Sequence, residues 1–166
     1  MSQSRFRRRP RTRGQALAEF ALVAPIFFLM VFALMDFGRY VYYVQMLNNA
    51  AREGARYAIV HGYMSLDPSG PPAPGTTSAD VPGNNVINVA RQYAIGVIGN
   101  SAQLSIVPTW WDKVTDPDPA ASVGNGDNSR ENVVQVIVTY QFQSVIPIVP
   151  IPPIEVKGSS TLVINH

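Results

Sequence analysis

Gly14, Gln15 and Glu19 are the residues whose types and spacing point most directly to chemistry, and that chemistry is done to the chain rather than by it. A glycine is followed five positions later by a carboxylate, and an apolar run starts immediately afterwards at Phe20. Arg5, Arg7, Arg8, Arg9, Arg11 and Arg13 stand in front, with no acidic residue among them. The order reads as a membrane address with a processing site. Residues 20–35 (FALVAPIFFLMVFALM) carry no charge at all.

Other chemistry finds little support. With no cysteine, thiol catalysis, disulfides and cysteine metal sites are all excluded. His61 and His166 lie far apart without metal-ligand spacing, so neither a metal nor another cofactor is expected. No serine sits in a nucleophile-elbow pattern, and no glycine-rich phosphate loop joins a strand to a helix. Asp112, Asp116, Asp118, Asp127 and Glu131 offer oxygen ligands for calcium but lack the ordered spacing of a calcium loop, so a solvated hairpin connection is the preferred reading. Trp110 and Trp111 are adjacent near a strand end, an arrangement that places one ring in the core in preference to an adhesive patch. The chain is not expected to be an enzyme. Reviving that idea would require activity lost on substituting Asp112 or Asp127.

The element that must position Gly14 and Glu19 is a helix. Sixteen apolar residues at 1.5 Å each give roughly 24 Å, short of the ~30 Å hydrocarbon core, and adding Gln15 to Glu19 brings the length to about 31 Å. Spanning then places Glu19 near one interface or beside a partner. The arginines predict the N-terminus inside and everything after Asp36 outside, in the extracytoplasmic space. A signal peptide shares the basic start, but Leu34-Met35-Asp36-Phe37 is a poor cleavage site. A buried soluble helix is the bland alternative, disfavoured by six preceding arginines and by Pro25, which membrane helices tolerate better.

The helical pattern continues beyond the apolar run. Phe37, Tyr40, Val41, Val44, Leu47, Ala51, Ala55 and Ala58 recur at threes and fours, which predicts one helix from Gln15 to His61, about 70 Å long. Arg39, Asn48, Arg52, Glu53 and Arg56 fall away from that stripe, and Ala50, Gly54 and Ala58 permit close approach of another helix or a sheet. Residues 62–83 are rich in Pro, Gly and Ser and read as a loop or linker. A second helix is expected over 84–98, with Val86, Val89, Ala90, Tyr93, Ala94 and Val97 on one face and Gly99-Asn100 at its end. The period then changes to two, giving a short strand over 104–107, the best strand over 133–142 and a last strand over 157–164. The prolines of 146–154 forbid a central strand and favour an extended apolar loop. The sum is an α+β chain: basic leader 1–14, long helix 15–61, loop 62–83 and a small head over 84–166.

Charge follows the same division. Of 13 basic and 11 acidic side chains, six basic and no acidic ones lie in the first 13 residues, so residues 15–166 sum to 7 minus 11, or −4. Basic character confined to a tail gives topology, and it argues against a nucleic-acid-binding face.

Taken in order, Gly14-Gln15-Ala16-Leu17-Ala18-Glu19-Phe20, the apolar run, Asp36-Phe37-Gly38-Arg39 and Asn49-Ala50-Ala51-Arg52-Glu53-Gly54-Ala55-Arg56-Tyr57 resemble the TadE-like family. These are membrane-anchored, pilin-like subunits of the tight-adherence (Flp-type) pilus system of bacteria and archaea. The resemblance covers residues 14–61, and the alternating strands near the C-terminus are only compatible with it. It implies a pilin-like head and cleavage after Gly14 by a dedicated aspartic prepilin peptidase, leaving Gln15 as the new N-terminus. Glu19 would then be the fifth mature residue, where pilin-like proteins place a carboxylate in the helix packing core, paired with a neighbour's amino terminus. Many type IV pilins begin their mature chain with phenylalanine, which is N-methylated; Gln15 departs from that pattern.

The expected function is that of a minor pilin or pseudopilin assisting assembly of a Tad-type pilus, with the inner membrane, other pilin-like subunits and the assembly machinery as partners. The alternative is an uncleaved single-pass envelope protein whose external domain binds a partner without entering a filament. In that case Glu19 is an interfacial residue near lipid headgroups.

Overall fold

The computed structural model describes residues 13–78, 80–95, 103–113, 126–145 and 152–165. Expectations for Arg5 to Arg11, Val97, Gly99-Asn100, Asp116, Asp118, residues 146–151 and His166 lie outside the described residues.

Helix α1 runs unbroken over Arg13–Val60, 48 residues with Pro25 inside it. Alanine, leucine, methionine and the other good helix formers dominate it. Its first half is left bare by the described residues: Phe20, Leu22, Ile26, Met30 and Leu34 are each at least two-thirds exposed. The apolar stretch is long enough to cross a membrane. Cover begins at Asp36, and from Met46 onward the inner face of the helix is core: Leu47, Ala50, Ala51 and Ala55 are fully buried, with Ala58 nearly so.

Helix α2 (Asn84–Ile95) and an antiparallel sheet in the order β1 (Leu104–Trp111), β2 (Val133–Phe142), β3 (Ile154–Val163) pack against that second half. The α+β architecture is the one expected from the sequence. In central β2 the alternation is complete, with Val134, Val136, Val138, Tyr140 and Phe142 buried beneath α1. Small residues set how closely the layers meet. A Cβ on Gly54 would lie 3.0 Å from the Ala90 methyl and 3.3 Å from Val136, so one position touches both α2 and the sheet. On β3, a Cβ at Gly158 would run into the α1 backbone at Leu47 and Asn48.

Several boundaries differ from the sequence reading, each for a physical reason. Strand β1 continues past Val107 through Pro108 to Trp111, because it is an edge strand and an edge tolerates a residue without an N–H. Strand β3 begins at Ile154 rather than Lys157, since Ile154, Glu155 and Val156 pair with Phe142, Gln141 and Tyr140. The described part of α2 buries a narrower stripe than expected: Val86, Ala90 and Ala94 face α1, while Tyr93 is exposed.

The segment 62–83 is a loop, but a packed one rather than a free linker. Buried Asn128 ties it down, with its Oδ1 accepting from the Ala73 N–H at 3.0 Å and its Nδ2 donating to the Ser69 carbonyl at 3.2 Å. Asp80 closes the loop by accepting from the first N–H groups of α2, Asn84 and Asn85, donors that have no partner within the helix. Both tryptophans are buried, not one. Gly70 and Gly83 lie directly on the Trp110 indole and Gly126 sits against the backbone at Trp111.

Candidate functional site

The features of interest lie along α1. The Gly14–Gln15 bond lies at the start of the described part of α1. Gly14 is exposed, with open space on the side where a Cβ would stand. Gln15 donates through Nε2 to Glu19 Oε1 at 3.1 Å, and both side chains are exposed. Glu19 and Phe20 thus sit at the mouth of the bare apolar surface, exposed among the described residues. A group projecting there is available to another helix.

The other end of that surface is a junction that sequence reasoning only half anticipated. Asp36 directly follows the charge-free run and is buried, 7% exposed. Its carboxylate accepts from Arg39 Nη1 at 3.0 Å, from Ser144 Oγ at 2.5 Å and from the Val145 N–H at 3.0 Å. A buried carboxylate without such donors would be costly, and here each oxygen is engaged. The Arg39 guanidinium lies 5.3 Å from the centroid of the Phe142 ring and 5.9 Å from that of Tyr43. Phe142 in turn meets Tyr40 and Tyr43 edge-on, at 5.9 and 5.7 Å. Burial raises the neighbouring Tyr140 phenol above its ordinary value. The junction therefore clamps the last residues of β2 and the chain beyond it onto the helix just where the apolar surface stops.

Of the remaining motif residues, Ala51, Gly54 and Ala55 are core, while Phe37, Gly38, Arg52 and Arg56 are exposed and Glu53 is half-buried. The sequence places Asp36 and Arg39 at helix-neighbour spacing, so their pairing was readable. Nothing in it signals Ser144 or Val145.

The features weighed for other chemistry are structural where they are described. His61 stacks on Tyr57 with ring centroids 3.9 Å apart, and its Nδ1 donates to the Tyr57 carbonyl at 3.0 Å. Asp127 accepts from the Ser129 N–H at 2.8 Å and from Asn132 Nδ2 at 2.9 Å, making a tight turn next to buried Asn128, and most of the connection between β1 and β2 lies outside the described residues. Among the described residues no group of three or more His, Cys, Asp or Glu side chains is placed to hold a metal ion.

Comparison with known proteins bears on the same helix. Residues 14–56 match the TadE-like protein family. No curated protein and no solved structure matches the chain. The match begins at Gly14 and runs through the bare apolar surface, the Asp36–Arg39 pair and the small-residue face that packs on the head. It makes this helix similar to a family associated with the Tad pilus system and not known as enzymatic.

Proposed function

We propose, on the premise that residues 14–56 are those of a TadE-like protein, that the chain is a minor pilin or pseudopilin assisting assembly of a Tad-type pilus. The observation that carries the reading is the coincidence of that match with a helix whose first half is apolar and left bare by the described residues. Such a surface requires lipid or other helices. The arginines hold the N-terminus in the cytoplasm and the head outside it. Cleavage after Gly14 by a prepilin peptidase removes that basic tail and exposes Gln15 as a new amino terminus. Glu19 then enters the packing of neighbouring helices, where an amino terminus offsets the cost of a carboxylate among apolar side chains. The head performs no reaction; it is carried by the helix and meets other subunits of the assembly.

A second reading has one observation in its favour. Gln15 already supplies Glu19 with a hydrogen-bond donor from the same chain, as an uncleaved single-pass envelope protein would need. The two readings part in native cells. Removal of the chain abolishes surface pili under the first reading, and the intact chain restores them while a Glu19→Ala chain does not. Normal piliation without the chain would sink the pilus reading.

A further inference from the structure

We infer that the lower end of the head, around the Asp36 junction, is a membrane-seating surface: Val145 and Ile154 rest in the headgroup region of the bilayer that α1 enters. The inference rests on reading α1 as a membrane span and adds a second, head-borne contact with lipid.

The geometry begins with the direction of β2. Gly54 meets Val136 high on the helix, Tyr43 meets Tyr140 lower down with ring centroids 5.3 Å apart, and Asp36 meets Val145 at the bottom. From Gly54 to Asp36 the helix descends about 27 Å, and from Val136 to Val145 an extended chain covers about 30 Å. The strand therefore runs down the helix and delivers Val145 to the level where the apolar surface begins. Val145 is held there by its own N–H on the Asp36 carboxylate, 3.0 Å away. Ile154, the register partner of Phe142, starts the return strand three residues, about 10 Å, above Val145, at the upper edge of the same zone.

Among the described residues, the exposed apolar groups at this end of the head are Val145 and Ile154, with Gln143 and the Glu155–Lys157 ion pair beside them, polar groups of the kind that headgroups solvate. Val145 is 52% exposed and Ile154 44%. Pro152 and Pro153, next to Ile154, are exposed and bring no charge. Asp36 is the nearest acid on the helix, and its charge is already satisfied by Arg39, Ser144 and Val145, so approach to lipid need not desolvate a bare carboxylate. Tyr42, about half exposed, follows along α1, the residue type that collects at membrane interfaces. Continuity with the apolar helix selects lipid as the occupant, because whatever solvates Met35 also bathes the surface one residue beyond it.

The chain has no cysteine, so single labelling sites are clean. Val145→Cys keeps the backbone N–H that Asp36 accepts. Full chains carrying Val145→Cys, Ile154→Cys, Met30→Cys or Leu66→Cys are labelled with bimane and reconstituted into phosphatidylethanolamine–phosphatidylglycerol vesicles containing doxyl-labelled lipid. Met30 lies within the apolar surface and Leu66 is fully exposed beyond the far end of α1, so they serve as the internal and aqueous references. Labels at 145 and 154 are expected to be quenched by shallow doxyl groups about twofold or more above the Leu66 label, as for apolar groups lying about 5–10 Å into the interface. Quenching at Met30 with none at 145 and 154 overturns the seating surface and leaves the span intact. Cross-linking of unquenched 145 and 154 sites to a second chain would assign the patch to protein contact and equally refute the inference. Absence of quenching at Met30 itself would bring down the membrane span and the seating surface together.

Discussion

The Ser144 hydroxyl donates to the Asp36 carboxylate at 2.5 Å, joining the exit of the central strand to the helix turn just beyond the charge-free run. The pair is separated by 108 residues in sequence and is part-buried. Because α1 is one continuous helix, this contact helps to fix how the head stands on its anchor.

Removing either partner is expected to destabilise the full chain in detergent, by about 2–3 kcal/mol for Asp36→Ala, which removes the shared acceptor of Arg39, Ser144 and the Val145 N–H, and by about 1 kcal/mol for Ser144→Ala. The double variant should be less damaged than the two losses added together, with a coupling of about 1 kcal/mol read from thermal unfolding. Strict additivity would mean that the contact contributes nothing.

Two glycines on opposite sides of the functional question give opposite expectations. Gly158→Ala drives a methyl into the α1 backbone at Leu47 and Asn48, where neither side can yield cheaply, and costs about 1–3 kcal/mol or more. Gly38→Ala meets open space in an exposed helix interior and gains about 0.5–1 kcal/mol. Chemical denaturation of the two variants should move in opposite directions. A Gly38→Ala chain that is more stable yet fails to support pili would locate a partner helix at that spot.

The Trp110 indole supplies a third test. Gly83 lies on it with φ +72°, so Gly83→Ala combines a clash with the ring and a strained backbone, for a loss of about 2–4 kcal/mol. Near-ultraviolet circular dichroism should report the displaced tryptophan. An unchanged spectrum with unchanged stability would contradict the packing of loop 62–83 over β1.

How much of this was legible in the sequence depended on how local the signal was. The β2 alternation and the threes and fours of α1 are periodic within one element, so the strand and helix could be read directly. Ala50, Gly54 and Ala58 announced close approach, and α2 and the sheet meet at Gly54 as that pattern allowed. The loop 62–83 reads as a linker because its composition is that of a turn, whereas its order comes from Asn128 and Trp110, far along the chain. Strand ends went astray for the same reason: Pro108 looks like a breaker, and Ile154 is read with the prolines before it, until the edge position of β1 and the pairing with Phe142 are known. Asp36 and Arg39 were visible as motif residues, but Ser144 carries no mark of its role.

Glu19 separates folding from assembly. Its side chain is exposed and bonded within the chain only to Gln15, so Glu19→Ala should leave unfolding unchanged within about 0.5 kcal/mol. Pilus assembly should nevertheless fail, since the carboxylate's proposed partner is a neighbouring subunit. Equal loss of stability and assembly would point to a role inside the monomer.

The most direct test of the account is the intact mass and N-terminal sequence of the protein extracted from membranes of its native cells. The account predicts a chain that starts at Gln15 and has lost all six tail arginines. A mature protein that retains Arg5 to Gly14 would contradict it and leave Glu19 as an interfacial residue of an uncleaved anchor.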